Sequence, residues 1–150
     1  MRKTEELFRI IRSEYGVVVS TADIVKNNPP SSVVLAITTK EGSRFALKTL
    51  FLPQERQRFI AMSEHLLSGK GVPLAKPVPA SSGSLMFTYK GFPYVLYEWQ
   101  EGKSGRLAHE RDLLAAVELT ARFHRASYGL KYPPDIPIYG HAHWEQEYAE

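Results

Sequence analysis

The sequence contains no cysteine. Disulfides, thiolate metal sites and cysteine nucleophiles are therefore excluded, and the composition fits a reducing compartment. No stretch approaches the ~18 uninterrupted apolar residues of a membrane-spanning helix. The N-terminal "MRKTEELFRIIRSEYG" has acidic residues inside its apolar stretch and no small-residue cleavage site, so it does not read as a signal peptide. These absences predict a cytoplasmic protein without membrane partners. A basic run is also missing. The 19 Lys and Arg outnumber 16 Asp and Glu, giving a net charge of +3, but they are scattered in ones and twos and the aromatics fall in strand patterns. A nucleic-acid partner is therefore not expected. Neither Gly-x-Ser-x-Gly nor Gly-x-x-x-x-Gly-Lys occurs.

What is present suits one ordinary domain: 150 residues, 43% of them hydrophobic. Leu7, Phe8, Ile10, Ile11 and Tyr15 recur at helical spacing before Gly16, predicting an amphipathic helix over residues 4–15. Three β-like stretches follow: "GVVVSTADIVK", "SVVLAITT" after the turn-rich "NNPPSS", and "RFALKTLFL" after "KEGS". "PQERQRFIAMSEHLLS" reads as a helix with Pro53 at its first position and Phe59, Ile60, Met62, Leu66 and Leu67 as its apolar residues. After the proline-broken "GVPLAKPVPASSG" come two more strands, "SLMFTYKG" and "FPYVLYEWQEG". A polar linker over 103–110 leads to the helix "ERDLLAAVELTARFHRAS". The prolines of "KYPPDIPIYG" hold the backbone extended, and "HAHWEQEYAE" looks like the start of a further helix. The fold class is α+β: a five-stranded antiparallel sheet with one crossing helix over residues 1–102, then a linker and the beginning of a helical second part over 103–150.

Lys48 stands in the middle of an apolar strand. Alternation puts Ala46, Lys48 and Leu50 on one face and Phe45, Leu47 and Thr49 on the other. Such a lysine either snorkels to water from an edge strand or is presented to a phosphate.

The order three strands, helix, two strands, hinge, helix resembles the small lobe of the protein-kinase-like fold. Ala46-Leu47-Lys48 resembles the Ala-x-Lys of the kinase third strand, in which the alanine packs on adenine and the lysine holds the α and β phosphates. Together with "VLYEWQEG" and "LTARFHRASYG", it is similar to the spore coat protein S (CotS) group of the aminoglycoside-phosphotransferase-like family, over essentially the whole chain. The resemblance implies ATP and Mg²⁺ as ligands. It implies Lys48 as the phosphate lysine and a glutamate of the next helix as its counter-ion. Glu55 and Glu64 are both available. Glu64 is preferred, because it shares a face with Ile60 and the Ala61–Met62 region, whereas the helix dipole alone explains Glu55 in the first turn. An exposed helix-surface role accounts for Glu64 equally well. "YEWQEG" resembles the hinge, in which backbone groups of Glu98 and Gln100 hold the adenine edge and Trp99 lies beside the ring; an ordinary strand end with a packed Trp has the same residues. "NNPPSS" stands where protein kinases have a glycine-rich loop, so any phosphate grip there falls to Ser31, Ser32 or the remaining amides.

No catalytic residue is assigned. After the hinge only Asp112 and Asp135 follow, neither in a His-x-Asp-x-x-x-x-Asn pattern, and no Asp-Phe-Gly-like metal motif occurs. The expectation is a truncated second lobe, whether as a fragment or as a short protein without catalysis. His141 and His143, with Glu145 and Glu147, are read as a surface cluster rather than a metal site, and His124 as a structural histidine. Two functions remain open: the nucleotide-binding portion of a kinase-like protein, or a non-catalytic spore-coat or scaffold protein with protein partners. The hinge strand, Trp99 and the helix bearing Leu113, Val117 and Phe123 would lack cover from this chain, which predicts self-association through that face, binding of a separate partner, or poor solubility.

Overall fold

The computed structural model describes residues 2–28, 32–102, 105–106 and 108–131. Pro29, Pro30 and Ser31 of the first loop, part of the polar linker, and the expected extended segment and terminal helix with His141, His143, Glu145 and Glu147 lie outside the described residues.

Helix α1 (Arg2–Tyr15) precedes strands β1 (Val19–Asn28), β2 (Ser32–Thr39) and β3 (Arg44–Leu50). Helix α2 (Gln54–Gly69) then leads to β4 (Phe87–Tyr89) and β5 (Phe92–Glu98), and α3 (Glu110–Ser127) ends the described part. The strands form one antiparallel sheet in the order β1-β2-β3-β5-β4. The expected α+β architecture is therefore present.

Alternation along the strands divides the core into two layers. On one face Ile37, Leu47, Phe87 and Leu96 meet Leu7 and Ile11 of α1. Ile11, Ile37, Leu47 and Leu96 are wholly removed from solvent, each burial contributing roughly 1.5–3 kcal/mol. On the other face Val95 and Tyr97 pack with Ala61 of α2 and with Met86, and Ala46 lies against them. The helices thus sandwich the sheet, and register sets Lys48 between Val34 and Val95, and Ala46 between Ala36 and Tyr97.

Helix α2 buries a narrower stripe than its apolar residues predict. Gln57, Ala61 and Leu67 are buried, whereas Met62 and Leu66 are exposed. Gln57 is covered because its amide is used on both sides: Oε1 accepts from the Leu50 N–H at 3.2 Å, and Nε2 donates to the Pro93 carbonyl at 3.1 Å. The helix starts one residue later than expected. Pro53 has an extended ψ of 141° and caps the helix from outside.

Strand β4 is shorter than the "SLMFTYKG" expectation. The Ser84 hydroxyl donates to the Met86 carbonyl at 2.6 Å and accepts from its N–H at 3.2 Å, turning the chain locally before the ladder begins. Lys90 and Gly91, with φ of 52° and 80°, close the β4–β5 hairpin in the left-handed conformation its twist favours. Helix α3 has the expected span but buries none of its residues. Its entry is held by Asp112, which accepts from the Arg106 N–H at 2.7 Å, and its end by Lys70, whose ammonium donates to the Ala126 carbonyl at 2.9 Å.

Candidate functional site

The β3–β5 ladder carries the residues singled out in the sequence. Lys48 is half-buried and makes no ion pair among the described residues. Its ammonium lies 5.9 Å from the ring centroid of Tyr97, its neighbour on the adjoining strand. The edge-strand explanation for this lysine is removed by topology, since β3 is the central strand with β2 on one side and β5 on the other. Ala46, one strand step away, offers a small side chain on the same face.

Of the two helix glutamates, Glu55 is exposed and pairs with Arg58 at 3.3 Å, one turn along α2. Glu64 is half-buried and faces the sheet. Its Oε2 accepts a 2.6 Å hydrogen bond from the Tyr97 hydroxyl, and Glu64 makes no ion pair with Lys48. One phenol therefore touches both members of the expected pair. Burial first, and then the Glu64 carboxylate that accepts its hydrogen bond, push the Tyr97 hydroxyl far above its ordinary pKa. It remains a donor across the neutral range.

At the end of β5 the chain turns outward. Glu98 is exposed; its N–H donates to the Lys76 carbonyl at 2.9 Å and its carboxylate pairs with the Lys76 ammonium at 3.7 Å. A second bond, from the Val78 N–H to the Leu96 carbonyl at 2.8 Å, completes an antiparallel bridge centred on Pro77 and Tyr97. Glu98 thus has its N–H occupied, and an incoming ring would meet the backbone only beyond it or through carbonyl oxygens. Trp99 is half-buried beneath the guanidinium of Arg44, and its indole Nε1 is buried without a hydrogen-bond partner among the described residues. Gln100 is exposed. Ser32, the described serine of the first loop, is buried at the start of β2 opposite Leu50. His124 sits exposed in the last turn of α3, where its carbonyl accepts from the Tyr128 N–H. No group of three or more potential metal ligands occurs among the described residues.

Three contributors were not legible as site residues. Tyr97 carries the contact between α2 and the Lys48 face, Gln57 locks α2 to β3 and β5, and Arg44 covers the indole. Strand alternation could have placed Tyr97 opposite Ala46 on the lysine face, and hence near Glu64.

No helix among the described residues is long and apolar enough to cross a membrane. No family model matches the chain. Solved structures do. An amicoumacin kinase in complex with AMP-PNP and Ca²⁺ aligns with a TM-score of 0.69 at 18% identity, over 85% of this chain and 41% of its own. An aminoglycoside phosphotransferase from Alicyclobacillus acidocaldarius aligns with a TM-score of 0.68 at 17% identity, over 94% of this chain and 42% of its own. A spectinomycin phosphotransferase in complex with ADP and spectinomycin aligns with a TM-score of 0.64 at 13% identity, over 86% of this chain and 38% of its own. The chain spans about two fifths of the length of these proteins, and over that part it has the fold of aminoglycoside phosphotransferases and related kinases.

Proposed function

We propose that this chain is the nucleotide-binding portion of a kinase-like protein of the aminoglycoside-phosphotransferase type, related to the CotS group. The observation that carries the reading is Lys48: an ammonium on the central strand, half-buried, with no carboxylate paired to it among the described residues. A half-buried ammonium with no carboxylate beside it is free to pair with an anion, and a polyphosphate would supply that charge. In this reading Ala46 leaves room for the adenine ring, Lys48 holds its phosphates, and Glu64 steadies Lys48. The carbonyl of Glu98 and the backbone of Gln100 meet the ring's edge beside Trp99. Residues 1–102 form the lobe and 103–150 begin the second part. Mg²⁺ enters only as the counter-ion of the triphosphate. The cytoplasm is the natural location, with the spore coat as the alternative that the CotS resemblance brings.

Titration of the chain with a fluorescent ATP analogue tests the reading. Lys48→Met keeps the length and apolar stem of the side chain, so the fold should survive while affinity falls at least several-fold. Equal affinity for the two proteins overturns the assignment of Lys48.

A second reading, a non-catalytic scaffold or coat protein, is favoured by α3, on which Leu113, Leu114, Val117 and Phe123 are all exposed. It predicts association at micromolar concentration by analytical ultracentrifugation and no measurable affinity for ATP.

A further inference from the structure

We propose that Tyr97 is a positioning residue that aims Glu64 at Lys48. The inference rests on the nucleotide reading and extends it to a residue that reading does not use. Tyr97 is buried, its hydroxyl binds Glu64 Oε2 at 2.6 Å, and its ring lies under the Lys48 ammonium at 5.9 Å. The hydrogen bond has the short length of a charge-assisted O–H···O⁻ contact. A glutamate on a helix surface samples several rotamers, and fixing one carries an entropic cost. With Oε2 held by the phenol, that cost is met before any ligand arrives.

The second oxygen, Oε1, has no hydrogen bond among the described residues. It is left for the lysine, whose four-carbon stem can swing the ammonium off the ring face once phosphate oxygens draw it forward. The ring serves as the resting place of the cation and the hydroxyl as the anchor of the anion. Tyr97 itself is held by its ladder pairing with Ala46 and by the bridge to Pro77, so neither contact requires β5 to move.

The test is isothermal titration of ATP into the full chain as wild type, Tyr97→Phe, Glu64→Gln, Lys48→Met and the Tyr97→Phe/Lys48→Met pair. Thermal unfolding of each checks folding. Tyr97→Phe removes one oxygen and keeps the ring. Its affinity for ATP should fall about 3- to 10-fold, the scale of one net hydrogen bond, and Glu64→Gln should lose a similar factor. In the Lys48→Met background, Tyr97→Phe should have no further effect, because the anchored carboxylate then has no cation to steady. A purely structural hydroxyl would weaken binding equally in both backgrounds, and that result overturns the proposal. So does unchanged or tighter binding by Tyr97→Phe. Unchanged binding by Lys48→Met overturns the nucleotide reading itself and is distinguishable, since it requires no tyrosine variant. Should Tyr97→Phe not fold, Tyr97→Met, which also lacks the hydroxyl, takes its place, with the same loss expected in the wild-type background, none in the Lys48→Met background, and the same results overturning the proposal.

Discussion

The guanidinium carbon of Arg44 lies 3.9 Å from the centroid of the Trp99 ring. The same guanidinium reaches Glu101 at 3.0 Å, so the start of β3 and the segment after β5 are joined by one side chain. The ring face under Arg44 is closed to a ligand. Arg44→Ala should therefore change the indole emission and lower stability by about 0.5–1 kcal/mol, the value of a solvent-accessible cation–π contact. The chain has two tryptophans, Trp99 and Trp144. Fluorescence in a Trp144→Phe background isolates the one concerned, and an emission spectrum unmoved by Arg44→Ala would refute the contact.

Gln57 is 2% exposed and bonded at both ends of its amide. Gln57→Leu keeps much of the volume but strands the Leu50 N–H and the Pro93 carbonyl, each at about 1–3 kcal/mol. Urea denaturation should show a loss of about 2–6 kcal/mol in total, larger than for substitution at exposed Met62 on the same helix. A loss below 1 kcal/mol would mean that water replaces both bonds.

Gly91 has a φ of 80°, a conformation that costs a residue with a Cβ about 1–2 kcal/mol. Beyond its chain neighbours, no atom of the described residues lies within 4 Å of where that Cβ would stand. Gly91→Ala should thus destabilise through the backbone alone, by about 1–2 kcal/mol. The hydrogen-exchange protection of β4 should fall with it, and a neutral result would show that the hairpin turn relaxes freely.

Tyr15 supplies a pH dependence. Burial, with the neighbouring Glu14 charge as a smaller cause, raises its hydroxyl from 10.0 to about 12. Unfolded tyrosine ionises first, so the contribution is complete below pH 10 and is lost as pH rises towards 12. Tyr97 and Tyr94 are raised in the same direction, chiefly by burial, so part of the alkaline fall persists without Tyr15. Tyr15→Phe should flatten the decline in thermal midpoint between pH 10 and 12. At neutral pH it should have little cost, because the Tyr15 oxygen is buried without a partner among the described residues. A decline identical to wild type would dismiss Tyr15 as its source.

Element order and the lysine face were legible because both follow from period. Leu47 and Ala46 fall on opposite faces of β3, and alternation states as much. The bridge at Pro77 was hidden for the opposite reason. "GVPLAKPVPASSG" reads as broken chain, yet Pro77 occupies the non-hydrogen-bonded position of the bridge, while Lys76 and Val78 supply the two bonds. Ser84 shortened β4 through its side chain, an interaction that apolar patterning does not record. The fate of Glu64 was beyond reach from its own helix, since the group that binds it comes from Tyr97, 33 residues further along.

Among the described residues, strand β1 is the long border of the sheet and pairs on one side only. Its register slips twice, between Val19 and Thr21 and between Ile24 and Lys26, and Ile24 and Val25 lie exposed beside the second slip. An uninterrupted border of that length would template strands from other molecules. Each extra residue breaks the row of donors and acceptors and bends the strand. The opposite border is only the three residues of β4, continued by a bridge at Pro77. Growth into fibrils by edge-to-edge addition is therefore opposed at both borders by the path of the backbone, even where apolar side chains would invite it.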